Sequence, residues 1–367
     1  MGKSLGLGSA SYARWFHQPT SHMEANRLSG VLAPVVTPFK PDLSPDPERL
    51  IRHCKWLLSQ NCGLAVFGTN SEANSMAAEE RMKLLDALVA AGIDPARMMP
   101  GTGCCSISET VELTARAVNH GCAGVLMLPP FYYKNVSEEG LYRYFSEVIQ
   151  RVGHTRLRIY LYHIPSVAVV GVTPKLVERL LQAYPTAIAG MKDSSGDWNN
   201  TKTFLAAFVR AGRAEFLDSS YVDADDSFDV FVGSESFLLA NMRNGGVGAI
   251  SATANVNPAA IHSLFAKATT RLGAGPDSII AEYGDQDLEH DQAQLNLVRE
   301  VFARKSWPSM IAALKQAIAI YGNDPEWARV RPPLVELTPE QAKTLAVELK
   351  AISLTMPGAG AKRPSER

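Results

Sequence analysis

Eight short and almost continuously apolar runs punctuate the chain, at residues 30–36, 64–67, 98–103, 124–128, 159–162, 187–191, 230–232 and 247–250, each bounded by turn-forming residues. A strand with one wet face alternates apolar and polar residues. These runs do not, so they predict strands buried on both faces of a parallel sheet. Between them, residues 47–58, 78–91, 108–119, 137–152, 174–183, 199–209 and 236–243 space their apolar side chains along one face of a helix. Two helix starts are legible: Ser137 precedes Glu138 and Glu139, and Thr173 precedes Pro174, a capping hydroxyl before a first-turn acid or proline. The β-then-α repeat has the roughly 30-residue length of a βαβ unit. Eight repeats favour an α/β fold of the closed (β/α)8 TIM-barrel type over an open doubly wound sheet.

Two stretches depart from the even repeat. Residues 217–228 (LDSSYVDADDSF) are acidic and serine-rich, a solvated loop whose aspartates lack the glycine and terminal glutamate of a calcium loop. Residues 295–320 and 339–352 read as amphipathic helices packed on the barrel or on a partner subunit. The expected organisation is a barrel at 28–270 and a C-terminal helical extension at 271–354. Mobile tails are expected at 1–27 and 355–367, where Gly, Ser and Pro accumulate without a period.

Composition narrows the function classes. A chain of 367 residues, 46% hydrophobic and 20% charged, is neither disordered nor fibrous. Lys plus Arg number 36 against 37 for Asp plus Glu, so a net charge of -1 gives no pull toward nucleic acid or an anionic membrane. No apolar run approaches the roughly 20 residues of a membrane span. The polar, glycine-rich start lacks the apolar core of a secretion signal, which points to the cytoplasm. Five cysteines without a C-x-x-C pair read as reduced thiols, and eight scattered histidines suggest no metal site.

In a barrel, reactive groups gather where strands end at the C-terminal face. Four such ends are informative: Gly68-Thr69-Asn70-Ser71-Glu72, Pro129-Pro130-Phe131-Tyr132-Tyr133, Tyr162-His163-Ile164-Pro165, and Gly190 through Lys192 and Asp193 to Gly196. Lys192 closes an apolar strand, where lost hydration disfavours the ammonium form and exposes a nucleophilic amine. The alternatives are a lysine that snorkels to the rim or pairs with Asp193. Tyr162, on the preceding strand, is a candidate general acid and base, or a core tyrosine. Thr69 and Asn70 follow a glycine at a strand-to-helix turn, where backbone N–H groups can cradle a carboxylate or simply open a capped turn.

Together these residues resemble the dihydrodipicolinate synthase/N-acetylneuraminate lyase family of class I, Schiff-base pyruvate aldolases, over roughly residues 28–320. Gly68 to Glu72 is similar to the family's G-[TS]-T-G-E loop, Tyr162 to Pro165 to its Y-x-x-P, Gly190 to Gly196 to its G-[IVL]-K-[DE]-[ST]-[ST]-G, and Ser251 to Asn255 to its S-x-[TS]-A-N strand end. The resemblance implies that Lys192 forms an imine with pyruvate or another 2-oxo acid, without metal or other cofactor. Tyr162 would shuttle protons through Thr69, and the Thr69 and Asn70 amides would hold the carboxylate. Tyr132, with Tyr133 as the alternative, would complete the relay or reach an adjacent subunit's pocket in a homodimer or homotetramer. Ile250 would turn its carbonyl to the bound acid, and Glu235 would contact hydroxyls of the aldehyde portion unless it is only a surface or helix-end acid.

The departures matter as much. Where lysine-pathway synthases carry Y-x-x-P-x-R, this chain has Val167, which cannot clamp a second carboxylate, and Asn70 and Ser71 alter the loop. The reading is therefore a lyase for reversible aldol cleavage of a 2-oxo-3-deoxy or 2-oxo-4-hydroxy acid to pyruvate and an aldehyde. Its alternatives are a dehydratase of a 2-keto-3-deoxy sugar acid through the same imine, a dihydrodipicolinate synthase-like condensation, and a non-catalytic 2-oxo-acid-binding barrel.

Overall fold

The computed structural model describes residues 27–210, 228–273 and 285–359, so the segment 1–26, all but Phe228 of the acidic loop at 217–228, and residues 360–367 lie outside the described residues. Seven strands form one parallel sheet: β1 (Gly30–Ala33), β2 (Gly63–Leu64), β3 (Val125–Met127), β4 (Ile159–His163), β5 (Ile188–Asp193), β6 (Asp229–Val232) and β7 (Gly248–Ile250). Their order is β2-β1-β7-β6-β5-β4-β3. The expected strand at 98–103 is not a regular strand. It touches β2 and β3 through isolated parallel bridges, Leu64 to Met98 and Gly101 to Leu126, with Met99 N donating to Leu64 O at 2.8 Å and Leu126 N to Pro100 O at 2.9 Å. The reason lies in its composition: Pro100 has no N–H to give a ladder, and Gly101 and Gly103 weaken a strand. Those glycines are also required by space, since a Cβ on Gly101 would fall on the Phe67 carbonyl.

The strand residues sort into two apolar clusters, as the alternation of side chains across a strand demands. Leu32, Ala65, Met99, Leu126, Tyr160, Ala189, Phe231 and Ile250 share one. Their chain neighbours, among them Val31, Leu64, Met98, Val125, Ile159, Ile188, Val230 and Ala249, join the larger cluster beneath the helices. Both faces are therefore apolar, which explains the continuous runs in the sequence.

The helices begin where the sequence caps them. In α1 (Pro47–Ser59) the Asp46 carboxylate accepts from Arg49 N. The next two are α2 (Ala78–Ala90) and α3 (Ile107–His120). Ser137 caps α4 (Glu138–Val152), which ends at left-handed Gly153. A short α5 (Pro165–Ala168) precedes α6 (Pro174–Ala183), which Thr173 caps, while α7 (Trp198–Leu205) runs into a wide turn over Ala206–Arg210. After α8 (Leu238–Arg243) come α9 (Pro258–Gly273), α10 (Asp285–Phe302), α11 (Met310–Gly322) and α12 (Pro339–Ala351). Pro308 and the capping Ser309 divide the helical stretch expected at 295–320. Within the stretch expected as a tail from residue 355, Met356 is buried and the Pro357 carbonyl accepts from Trp56 Nε1 at 2.9 Å. No described helix is long and apolar enough to cross a membrane.

Candidate active site

Parallel pairing of β4 with β5 sets Tyr162 opposite Lys192 and His163 opposite Asp193. Successive side chains leave a strand on opposite faces, so Lys192 and Asp193 part company at the end of β5. Lys192 is 3% exposed. Its Nζ donates to Tyr162 Oη at 3.2 Å and stands 4.2 Å from the centre of that ring. Asp193 instead accepts from Thr201 Oγ1 at 2.6 Å, Ser195 N at 2.8 Å and Asn200 Nδ2 at 3.1 Å, pinning the loop beyond β5. Both alternatives for Lys192 close: it neither reaches the rim nor pairs with Asp193.

Thr69 Oγ1 lies 3.4 Å from Tyr162 Oη, so Thr69, Tyr162 and Lys192 form one chain of polar atoms. Burial alone would raise the Tyr162 phenol. The Lys192 ammonium and hydrogen bonds with Thr69, Lys192 and Ser194 outweigh it and hold the hydroxyl below its ordinary range. A buried hydroxyl touching a buried lysine nitrogen suits general acid–base work on an adduct of that nitrogen.

Thr69 belongs to a single tight turn, Thr69–Ser71, that opens directly after Gly68. The amides of Ser71 and Ala73 donate to Gly68 O, and that of Glu72 to Thr69 O. Those of Thr69 and Asn70 open the turn, where N–H groups have no partner within it. Ser71 locks the turn, accepting from Gly68 N at 3.2 Å through Oγ while its carbonyl accepts from Thr37 Oγ1 at 2.8 Å. Thr69 and Tyr162 both line a small cavity, together with Phe67, Asn74, Leu126 and Leu128.

The other expected site residues differ in their surroundings. Ile250 is buried on β7, paired with Leu32 of β1 and in one apolar cluster with Tyr162. Val167 lies on α5 and is 56% exposed. Tyr132 is 73% exposed and packs edge-on against Tyr133, so within the single chain it faces solvent rather than Tyr162. Lys134 ties that loop to the α5 rim by donating to the carbonyls of Phe131 and Ala168. Glu235 is not a surface acid; it opens the short helical turn Glu235–Phe237. It is 1% exposed, with Oε1 bonded by Thr253 Oγ1, and Oε2 by Ser251 Oγ and by Arg299 Nη1 at 3.3 Å. Arg299, on α10, supplied no sequence signal for this clasp, because an arginine on an amphipathic helix reads as solvated.

Two further groups escaped sequence reading. Ser194, within the quoted Gly190-to-Gly196 motif, is one of the neighbours that lower the Tyr162 phenol. Glu72, closing the Thr69 loop, pairs with Lys315 of α11 at 2.6 Å, and both side chains have no solvent exposure. The available signal was a lone lysine inside MIAALKQAIAIYG, an otherwise apolar helix.

Comparison with known proteins places the chain in a family. The sequence pattern of the dihydrodipicolinate synthetase family matches residues 27–352. An uncharacterized DapA-like lyase of Chloroflexus aurantiacus is 28% identical over 325 residues, covering 88% of this chain and 96% of the relative. A 4-hydroxy-tetrahydrodipicolinate synthase of Thermus thermophilus is 32% identical over 319 residues, 86% of this chain and 93% of its own. Among solved structures, YagE of Escherichia coli K12, a dihydrodipicolinic acid synthase family protein in complex with pyruvate, superposes with a TM-score of 0.74 at 25% identity, covering 89% of this chain and 99% of that one.

Proposed function

We propose that this chain, which belongs to the dihydrodipicolinate synthetase family, uses Lys192 to cleave a 2-oxo-3-deoxy or 2-oxo-4-hydroxy acid reversibly into pyruvate and an aldehyde. The single observation that carries the reading is the buried contact of Lys192 Nζ with Tyr162 Oη at 3.2 Å. We read β1 to β7 and the bridged segment 98–103 as the eight-stranded barrel that presents this pair at its C-terminal mouth.

In this mechanism the neutral Lys192 amine adds to the C2 carbonyl of the 2-oxo acid. Tyr162 gives a proton to the carbinolamine oxygen, which leaves as water, and an iminium remains. The resulting phenolate takes the proton of the C4 hydroxyl. The C3–C4 bond breaks, its electron pair enters the enamine, and the aldehyde departs. Tyr162 returns the proton to C3, and water hydrolyses the pyruvyl iminium to free Lys192. Thr69 relays the proton from Tyr162 Oη, and the Thr69 and Asn70 amides hold the carboxylate, as their place at the start of a turn supports.

The identity of residue 167 narrows the aldehyde. A second carboxylate would need a cation at the α5 rim, and Val167 offers none, which argues against aspartate semialdehyde as the partner. Tyr132 and Tyr133 on the exposed rim support a homodimer or homotetramer, with Tyr132 completing the relay across subunits. Incubation with pyruvate and borohydride tests the central claim, because reduction freezes an imine on the lysine that made it. Intact mass and peptide mapping are expected to find a reduced pyruvyl group on Lys192. No adduct with pyruvate or with longer 2-oxo acids overturns the lyase in favour of a non-catalytic binding barrel.

A further inference from the structure

The Thr69 loop is held from the far end of the chain. Glu72 closes it in the left-handed conformation at φ 57°, which a side chain larger than glycine adopts only when its surroundings impose it. Here the surroundings are C-terminal: Lys315 Nζ donates to Glu72 Oε1 at 2.6 Å, and Arg331 N donates to Oε2 at 2.8 Å. Lys315 also lies over the Phe39 ring at 4.5 Å, which fixes the ammonium from its other side. Just beyond Glu72, the Arg331 guanidinium donates to Ser75 O at 2.7 Å and to both oxygens of Glu80, at 2.8 and 2.6 Å. The backbone between these anchors returns to the site, since Glu72 N donates to Thr69 O at 3.1 Å and Thr69 Oγ1 faces Tyr162.

A fully buried ion pair is a poor device for stability, because well-packed apolar residues of similar volume do as well or better. What it supplies is direction, since only one placement of Glu72 satisfies Lys315 and the Arg331 amide together. We propose that Lys315 is a positioning residue for the 2-oxo-acid carboxylate, acting through Glu72 to set the Thr69–Asn70 amides. This rests on the reading of those amides as the carboxylate cradle.

The test compares the full-length protein with Lys315→Met and with the charge-free double variant Lys315→Met/Glu72→Gln, which leaves no carboxylate stranded in the core. In each, the fraction of Lys192 trapped by borohydride is titrated against pyruvate, and thermal unfolding is recorded alongside. Both variants are expected to trap pyruvate on Lys192 at saturation, with the half-saturating concentration raised about 10²-fold, the cost of an ångström-scale misplacement. The double variant is expected to regain thermal stability over Lys315→Met while keeping the raised half-saturation. A folded double variant with the unsubstituted protein's half-saturation overturns the inference and leaves Lys315 a structural residue only, even if the single variant does not fold. Absence of any adduct in the unsubstituted protein overturns the reading of the site itself, and the inference falls with it. The unsubstituted arm therefore separates the two failures.

Discussion

At the scale of single residues, the proposed mechanism divides chemistry between Lys192 as nucleophile and Tyr162 as proton carrier. Lys192→Ala removes the only side chain the mechanism binds covalently, so borohydride trapping on that peptide should vanish. Tyr162→Phe keeps the ring under the amine but deletes the hydroxyl between Lys192 and Thr69. Trapping should then persist, slowed, while turnover falls about 10²- to 10⁴-fold, the usual contribution of a general acid–base; turnover unchanged in steady-state assays would remove Tyr162 from the mechanism. Specificity is a separate matter. Val167→Arg places a fork-shaped cation on the α5 rim, where it should raise turnover with pyruvate and aspartate semialdehyde. A coupled assay of that condensation reads the outcome, and silence in the variant would weaken the clamp argument.

At the scale of elements, α1 carries a pH sensor of stability. His53 is buried between Trp56 and Trp327, with Nε2 3.4 Å from Asn255 Oδ1, and burial pushes its imidazole down to about 4 despite that hydrogen bond. The unfolded chain binds the proton near pH 6.5 and the folded one only near 4. Between those values the unfolded state holds more protons, and stability falls as pH falls. His53→Phe should lose less stability than the unsubstituted protein across this window, by up to about 3 kcal/mol in denaturant melts. The strands were legible because each is apolar on both faces. The third was over-read, since an apolar run says nothing of the N–H that Pro100 lacks. Lys192 and Tyr162 were legible because they stand at strand ends in an ordered motif. Lys315, Arg299 and the closed environment of Glu235 were not, because each depends on a helix packing back across the chain. Periodicity reports which face a helix buries, not what waits there.

For the whole molecule, the exposed rim is the feature that a single chain leaves unexplained. Tyr132, Tyr133, Val167 and Val169 are all more than half exposed on two segments that Lys134 joins. Apolar surface gathered in this way marks association. Sedimentation velocity should give a dimer or tetramer, and Tyr132→Glu/Tyr133→Glu should shift it toward monomer; a monomeric unsubstituted protein would set the rim to some other use.

The bond between Glu72 and Lys315 also has a consequence in time. Its two ends are 243 positions apart, and the Arg331 amide lies 259 beyond Glu72. A ribosome working at about 5–20 residues per second delivers them roughly 10–50 s apart. Throughout that interval Glu72 has no cation to meet and its carboxylate belongs in water, so the turn it closes cannot settle. Lys192 is thus synthesised before the Thr69 loop proposed to hold the carboxylate can be finished. On the proposed reading, a nascent or prematurely ended chain carries Lys192 before the residues that set the loop holding its acid, and completion of the C-terminal helices is expected to tighten that hold.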